Sequence, residues 1–169
     1  MGRCLVVAVV LATGCASQLA PLAVRTVSQV DDVPGVDQGD AYARALVWFE
    51  SSHDRAALRV TSKDPTTATI AASGEMQCHS SVGSGLRAMG LGFNQNYLRF
   101  NMVFQARAGR VKIAFSELFY FIKDVRYESS SLTQGPANKE EVDTLHRECL
   151  KPLEDSLMQA VRAPASSAF

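Results

Sequence analysis

Asn101-Met102-Val103-Phe104-Gln105-Ala106-Arg107-Ala108-Gly109-Arg110-Val111-Lys112-Ile113-Ala114-Phe115 is the stretch whose reading decides the fold. Met102, Phe104 and Ala106 alternate with Val103, Gln105 and Arg107; after Ala108-Gly109, Val111, Ile113 and Phe115 alternate with Arg110, Lys112 and Ala114. Side chains of a strand point to opposite faces in turn, so this pattern predicts two strands, each with one apolar face, joined by a tight hairpin. The pattern extends back to Tyr97 and forward to Phe121. Past Ser116-Glu117 the run Leu118-Phe119-Tyr120-Phe121-Ile122 loses the alternation, which predicts a bulge or a strand end buried on both faces.

Upstream, Ala57 to Ser62 reads as a strand, Asp64-Pro65-Thr66 as a turn and Thr67 to Cys78 as another strand. Ala68, Ile70, Ala72, Gly74, Met76 and Cys78 share one face of the second strand, while His79 falls on the other. Residues 80 to 93 hold Gly83, Gly85, Gly90 and Gly92 and read as a loop or loose edge. They lack the lysine or glycine spacing of a phosphate cradle.

A half-apolar antiparallel sheet needs a cover. Asp40 is the expected N-cap of an amphipathic helix over residues 41 to 52, with Ala41, Tyr42, Ala45, Leu46 and Phe49 at helical spacing and Trp48 packing helix to sheet. A second helix opens at Asn138 or just after Pro136, and its stripe of Val142, Leu145, Cys149, Leu153 and Leu157 suits the same sheet face. Pro152 removes a hydrogen bond to residue 148 and should kink or restart that helix. The order is helix, four-strand antiparallel meander, helix, an α+β domain.

The N-terminus carries an address. Arg3, the apolar run Leu5 to Ala12 and the small residues Ala12-Thr13-Gly14 before Cys15 form a secretory signal. The apolar run is too short for a transmembrane helix, which takes roughly 20 residues. The pattern resembles bacterial lipoprotein signals, which implies cleavage after Gly14 and a diacylglyceryl group on the Cys15 thiol. Ala16 after that cysteine implies delivery to the outer membrane, facing the periplasm. The expected organisation is a signal peptide over residues 1–14, a lipidated N-terminus and tether over 15–39, one domain over 40–162 and a frayed tail over 163–169. Within the tether, Leu22 to Val27 could add a short edge strand.

Charge and cysteines narrow the classes. The chain has 17 basic and 17 acidic residues, giving no electrostatic footprint for nucleic acid. With Cys4 in the signal and Cys15 acylated, Cys78 and Cys149 are left. They face the core in an oxidising compartment, either as a disulfide or as two buried thiols. Together with His79 and His146 they suggest zinc, but neighbours Cys78 and His79 point to opposite sides of a strand. No metal and no other cofactor is expected.

Nucleophilic catalysis needs a base held in place by a third group. His53, His79 and His146, the only histidines, carry no such local signature. Asp31-Asp32 lies in the tether, and Glu140-Glu141 suits the positive end of a helix dipole better than acid–base work.

The helix ending Leu46-Val47-Trp48-Phe49, the Asp64 hairpin leading into Thr69-Ile70-Ala71-Ala72-Ser73-Gly74, and the hairpin from Asn101 to Lys112 together resemble an uncharacterised bacterial family of exported proteins, domain of unknown function 4468. The resemblance spans roughly residues 40 to 160 and implies a TBP-like fold: a four- to five-stranded curved antiparallel sheet with an N-terminal and a C-terminal helix packed on one face. It transfers no catalytic residues, and Arg110 and Lys112 read as solubility and edge protection. The functional expectation is a non-enzymatic binding or assembly module, anchored to the membrane by lipid, whose partner is an unidentified envelope protein or small ligand. A carrier of small apolar ligands and a metal-dependent envelope hydrolase using His79, His146 or Cys149 are the alternatives.

Overall fold

A computed structural model describes residues 26–51, 56–82, 94–124, 129–134, 136 and 138–163. Six strands are described: β1 (Val27–Asp32), β2 (Ala56–Asp64), β3 (Thr69–Gln77), β4 (Asn94–Arg107), β5 (Arg110–Asp124) and β6 (Ser129–Gln134). Helix α1 (Gln38–Glu50) lies between β1 and β2. The last described elements are α2 (Lys139–Leu145), a π-turn (His146–Leu150) and α3 (Lys151–Arg162).

All pairings are antiparallel, in the order β1-β5-β4-β3-β2. Strand β6 pairs with β5 as well, against Tyr120 to Asp124, whereas β1 pairs with Val111 to Phe115 and with Arg110. The long β5 thus shares one edge between two short strands, and the sheet is five positions wide.

The hairpin behaves as its alternation requires. Arg107 pairs with Arg110 around Ala108-Gly109, and Gly109 takes a φ of 70° that only glycine adopts without steric cost. Between Arg99↔Phe119 and Asn101↔Ser116 an extra residue enters β5, with Glu117 at φ 52°. This bulge resets the parity. Val111, Ile113 and Phe115 face the helices before it, and Leu118 and Tyr120 after it.

Core side chains come from the helix-facing side of every long strand and from all three helices. Phe100, Phe104, Leu98, Met102 and Leu157 are fully buried in one continuous cluster. Each such side chain contributes about 1.5–3 kcal/mol relative to an exposed one. Gly74 makes room for this packing, since a Cβ there would lie 2.5 Å from the Phe100 ring and 2.8 Å from Leu58.

Three expectations need correction. The N-cap of α1 is Asp37, whose Oδ1 accepts from the Asp40 N–H at 2.8 Å, so Asp40 lies in the first turn. Residues 27–39, read as tether, belong to the domain. Strand β1 pairs with β5, Val33 is buried, and the Val33 N–H donates to the Gly109 carbonyl at 2.9 Å. The N-terminal edge strand therefore begins at Val27, where the sequence placed its end. Finally, the meander has a further strand, β6, whose Ser129-Ser130-Ser131-Leu132-Thr133-Gln134 carries almost no apolar alternation.

Candidate functional site

The chemistry-bearing residues singled out in the sequence meet at the π-turn. Cys78 follows directly on β3, its N–H donating to the Asn96 carbonyl at 2.9 Å, and Cys149 comes from the turn itself; both are 3% exposed. Their sulfurs are bonded, with Cα atoms 5.5 Å apart across a sequence separation of 71. Beside the bond, the Glu148 carboxylate accepts from Ser80 Oγ at 2.6 Å, from the Ser81 N–H at 2.9 Å and from Ser81 Oγ at 3.1 Å. These donors, Ser80 first, hold Glu148 below the ordinary glutamate range.

Pro152 explains the turn. Lacking an N–H, it cannot donate to residue 148, and the chain instead widens by one residue, with the Lys151 N–H donating to the His146 carbonyl five positions back. Helix α3 then restarts with Pro152 in its first turn, where no donor is needed.

The inserted residue has a geometric consequence. In a regular helix two residues eight apart differ by about 80° in direction, but with one residue taken up by the π-turn they act as seven apart, within about 20° and two turns on. His146 and Glu154 thereby share a face, with His146 Nε2 and Glu154 Oε2 2.9 Å apart. Lys151 Nζ donates to Glu154 Oε1 at 2.9 Å and to Asp155 Oδ1 at 2.6 Å. Glu154 is 1% exposed. Burial pushes its carboxyl up, yet the hydrogen bonds from His146 and Lys151 outweigh this and leave it below the usual value. Lys151 is pushed up to about 12, by Asp155 first and then Glu154. Nearby, burial and the Glu141 charge raise the Tyr120 phenol.

The zinc quartet does not assemble. Both thiols are spent in the disulfide, His79 is exposed just beyond the end of β3, and His146 is turned to Glu154. Among the described residues no three His, Cys, Asp or Glu side chains converge as metal ligands.

Asp31 and Asp32 diverge. Asp31 Oδ1 accepts from Gln29 Nε2 at 3.0 Å, and Asp32 pairs with Arg110 at 2.9 Å. Glu140 and Glu141 stand in the first turn of α2, where Asn138 Oδ1 accepts from the Glu141 N–H. Trp48, expected at a helix–sheet seam, reaches across to α3 and donates from Nε1 to Ser156 Oγ at 3.1 Å. Gly14, Cys15, His53, Gly83, Gly85, Gly90 and Gly92 lie outside the described residues.

Among the described residues no helix or strand packs on the opposite face of the sheet. On it Tyr97 stacks on Phe121 at 5.7 Å, Arg99 lies 5.2 Å over the Phe121 ring, and Glu75 pairs with Arg99 at 3.3 Å. Phe121 is 4% exposed yet belongs to no part of the helix-side cluster. At the other end of this face Val30, Gln105, Arg107, Arg110, Val111 and Lys112 line a groove of about 340 Å³. Sequence reasoning missed Glu154, the Tyr97–Phe121 stack and this groove. The last two could have been found by carrying the strand register across to the polar face.

Comparison with known proteins places the architecture. The chain is similar to a TBP-like protein from Parabacteroides distasonis ATCC 8503, at 11% identity over 81% of this chain and 92% of that one, with a TM-score of 0.56. It is similar to a DUF4468 family protein from Bacteroides ovatus ATCC 8483, at 15% identity over 90% and 94% of the two chains, also with a TM-score of 0.56. No curated protein matches it. A family model described as domain of unknown function (DUF4468) with TBP-like fold matches residues 28–121, which takes in β1, α1 and the strands through most of β5. That match covers more than half of the sequence, and the chain belongs to the DUF4468 family of TBP-like domains.

Proposed function

We propose that this chain is a bacterial envelope lipoprotein, anchored through Cys15 and facing the periplasm from the outer membrane, whose folded domain is a non-enzymatic binding or assembly module. The observation that carries the reading is the agreement between the N-terminal signal and the disulfide. A signal ending at Gly14-Cys15 sends the chain out of the reducing cytoplasm, and the domain holds a Cys78–Cys149 bond of the kind that persists there. The polar groups around the π-turn serve the fold in this reading: His146, Glu154, Lys151 and Glu148 are engaged with one another or with Ser80 and Ser81.

The carrier alternative gains nothing from the core. Phe100, Met102, Phe104 and Phe115, the residues that would line a cavity, are 0–1% exposed and packed together.

Globomycin, which blocks the lipoprotein signal peptidase, should cause the unprocessed chain to accumulate, and Cys15→Ser should release the protein from membranes washed in high salt. Unchanged processing and unchanged membrane attachment would refute the anchored reading.

A further inference from the structure

We propose that the groove at the β4–β5 turn is a docking site for the phosphate groups of anionic membrane lipids, so that the sheet's open face, not the helical layer, lies against the bilayer. The proposal rests on the envelope-anchored reading above and adds the orientation of the domain.

Register assembles the site. Gln105, Arg107, Arg110 and Lys112 all fall on the open face, with Gln105 paired to Lys112 and Arg107 to Arg110. Strand β1 adds Val30 beside Lys112 and Asp32 beside Arg110. Arg110 Nε is engaged by Asp32 Oδ1, whereas Arg107 and Lys112 have no ion-pair or hydrogen-bond partner among the described residues. Three cations therefore meet one carboxylate in a groove of about 340 Å³, with the 60%-exposed Val30 as its apolar wall. A groove carrying excess positive charge and guanidinium forks suits phosphate oxygens.

The charge of the whole molecule points the same way. Although the chain balances at 17 and 17, the helical segments Gln38–Glu50 and 139–162 hold eight acidic and five basic residues. An anionic bilayer would repel that layer and attract the corner opposite it.

The leash is short as well. Between Cys15 and Val27 lie eleven residues. Such a segment spans at most about 43 Å when fully extended. It enters the domain through β1, the strand that borders the groove.

The test uses the chain from residue 15 onward with Cys15→Ser, so no acyl chain contributes and the outcome is independent of whether Cys15 is lipidated. Sedimentation with vesicles of equimolar phosphatidylglycerol and phosphatidylcholine should show binding that high salt abolishes, and pure phosphatidylcholine vesicles should show none. Combining Arg107→Gln with Lys112→Gln, both at exposed positions, should weaken binding about 30-fold with an unchanged melting temperature, at roughly 5-fold per cation. Arg59→Gln, on the open face but far from the groove, should weaken it less than 2-fold, as about one Debye length or more separates it from the site.

Equal binding to both vesicles, no binding to either, or a double variant that binds like the parent would overturn the proposal. So would an Arg59→Gln loss as large as that of the double variant, which would mean diffuse attraction without a site. Saturable binding of inorganic phosphate in solution without vesicle binding would overturn the lipid assignment and make the groove a site for a free anion.

Discussion

His146 Nε2 lies 2.9 Å from Glu154 Oε2, eight residues along a helical segment that brings them together only because a π-turn lies between them. Glu154 is 1% exposed, and His146 and Lys151 are the groups that satisfy its two oxygens. Removing the carboxylate leaves the largely buried His146 without its partner and a void beneath the helix, while Lys151 keeps Asp155. Glu154→Ala should therefore cost about 2–3 kcal/mol, read as a lower urea midpoint with an unchanged m-value. The double substitution with His146→Phe should recover part of the loss, because it also removes the unpaired partner.

Acid should unfold the domain through the same groups. Glu148 and Glu154 are both held below their ordinary value in the folded chain. A depressed carboxyl contributes stability that is complete above its unfolded pKa, about 4.5 for glutamate, and that is lost as pH falls through the folded pKa. Melting temperature should hold from about pH 7 to about pH 5 and fall steeply below that. Glu148→Gln should flatten the acid limb; an equally steep limb in that variant would show that Glu148 takes no part.

The disulfide ties the end of β3 to the π-turn across a separation of 71 residues. Reduction, or Cys78→Ala with Cys149→Ala, should lower stability by roughly 2–4 kcal/mol, chiefly by freeing the unfolded chain. Calorimetry with and without reductant would measure it, and mass spectrometry of non-reduced peptides should find Cys78 joined to Cys149.

Gly74 is present because the Phe100 ring occupies the space of its missing side chain, 2.5 Å from where a Cβ would sit. Gly74→Ala should destabilise by roughly 1–3 kcal/mol despite the better intrinsic strand preference of alanine. Adding Phe100→Leu should give a double variant less impaired than the sum of the two singles. Strict additivity in denaturant titrations would mean that the two positions do not compete for space.

Much of this architecture was legible because alternation is a strong signal where one face is buried. Residues Leu98 to Phe115 show it, and even the lost alternation at Glu117 located the bulge. Strand β1 was illegible for a physical reason. It is an edge strand with exposed Val30 and half-buried Gln29 and Asp31, so its burial is partial and its sequence reads as polar. The π-turn was legible only as trouble at Pro152. That a carboxylate two turns beyond His146 would be carried under the helix followed from backbone widening, which residue spacing does not encode.

The same edge strand makes the sharpest prediction about where the folded unit begins. Strand β1 covers the edge of β5 from Arg110 to Phe115, and Val33, 1% exposed, ties the following turn to Gly109. The chain starting at residue 15 contains all of these contacts. One starting at Asp40 keeps most of α1 but loses Asp37, the helix cap, and Val33, and it uncovers a β5 edge holding Val111, Ile113 and Phe115. Loss of the cap alone costs about 1 kcal/mol, and an uncovered edge strand invites pairing between molecules. The shorter chain should therefore be markedly less stable and should aggregate in size-exclusion chromatography. If it stayed monomeric with the full melting temperature, β1 would be an ornament on a domain that begins at α1.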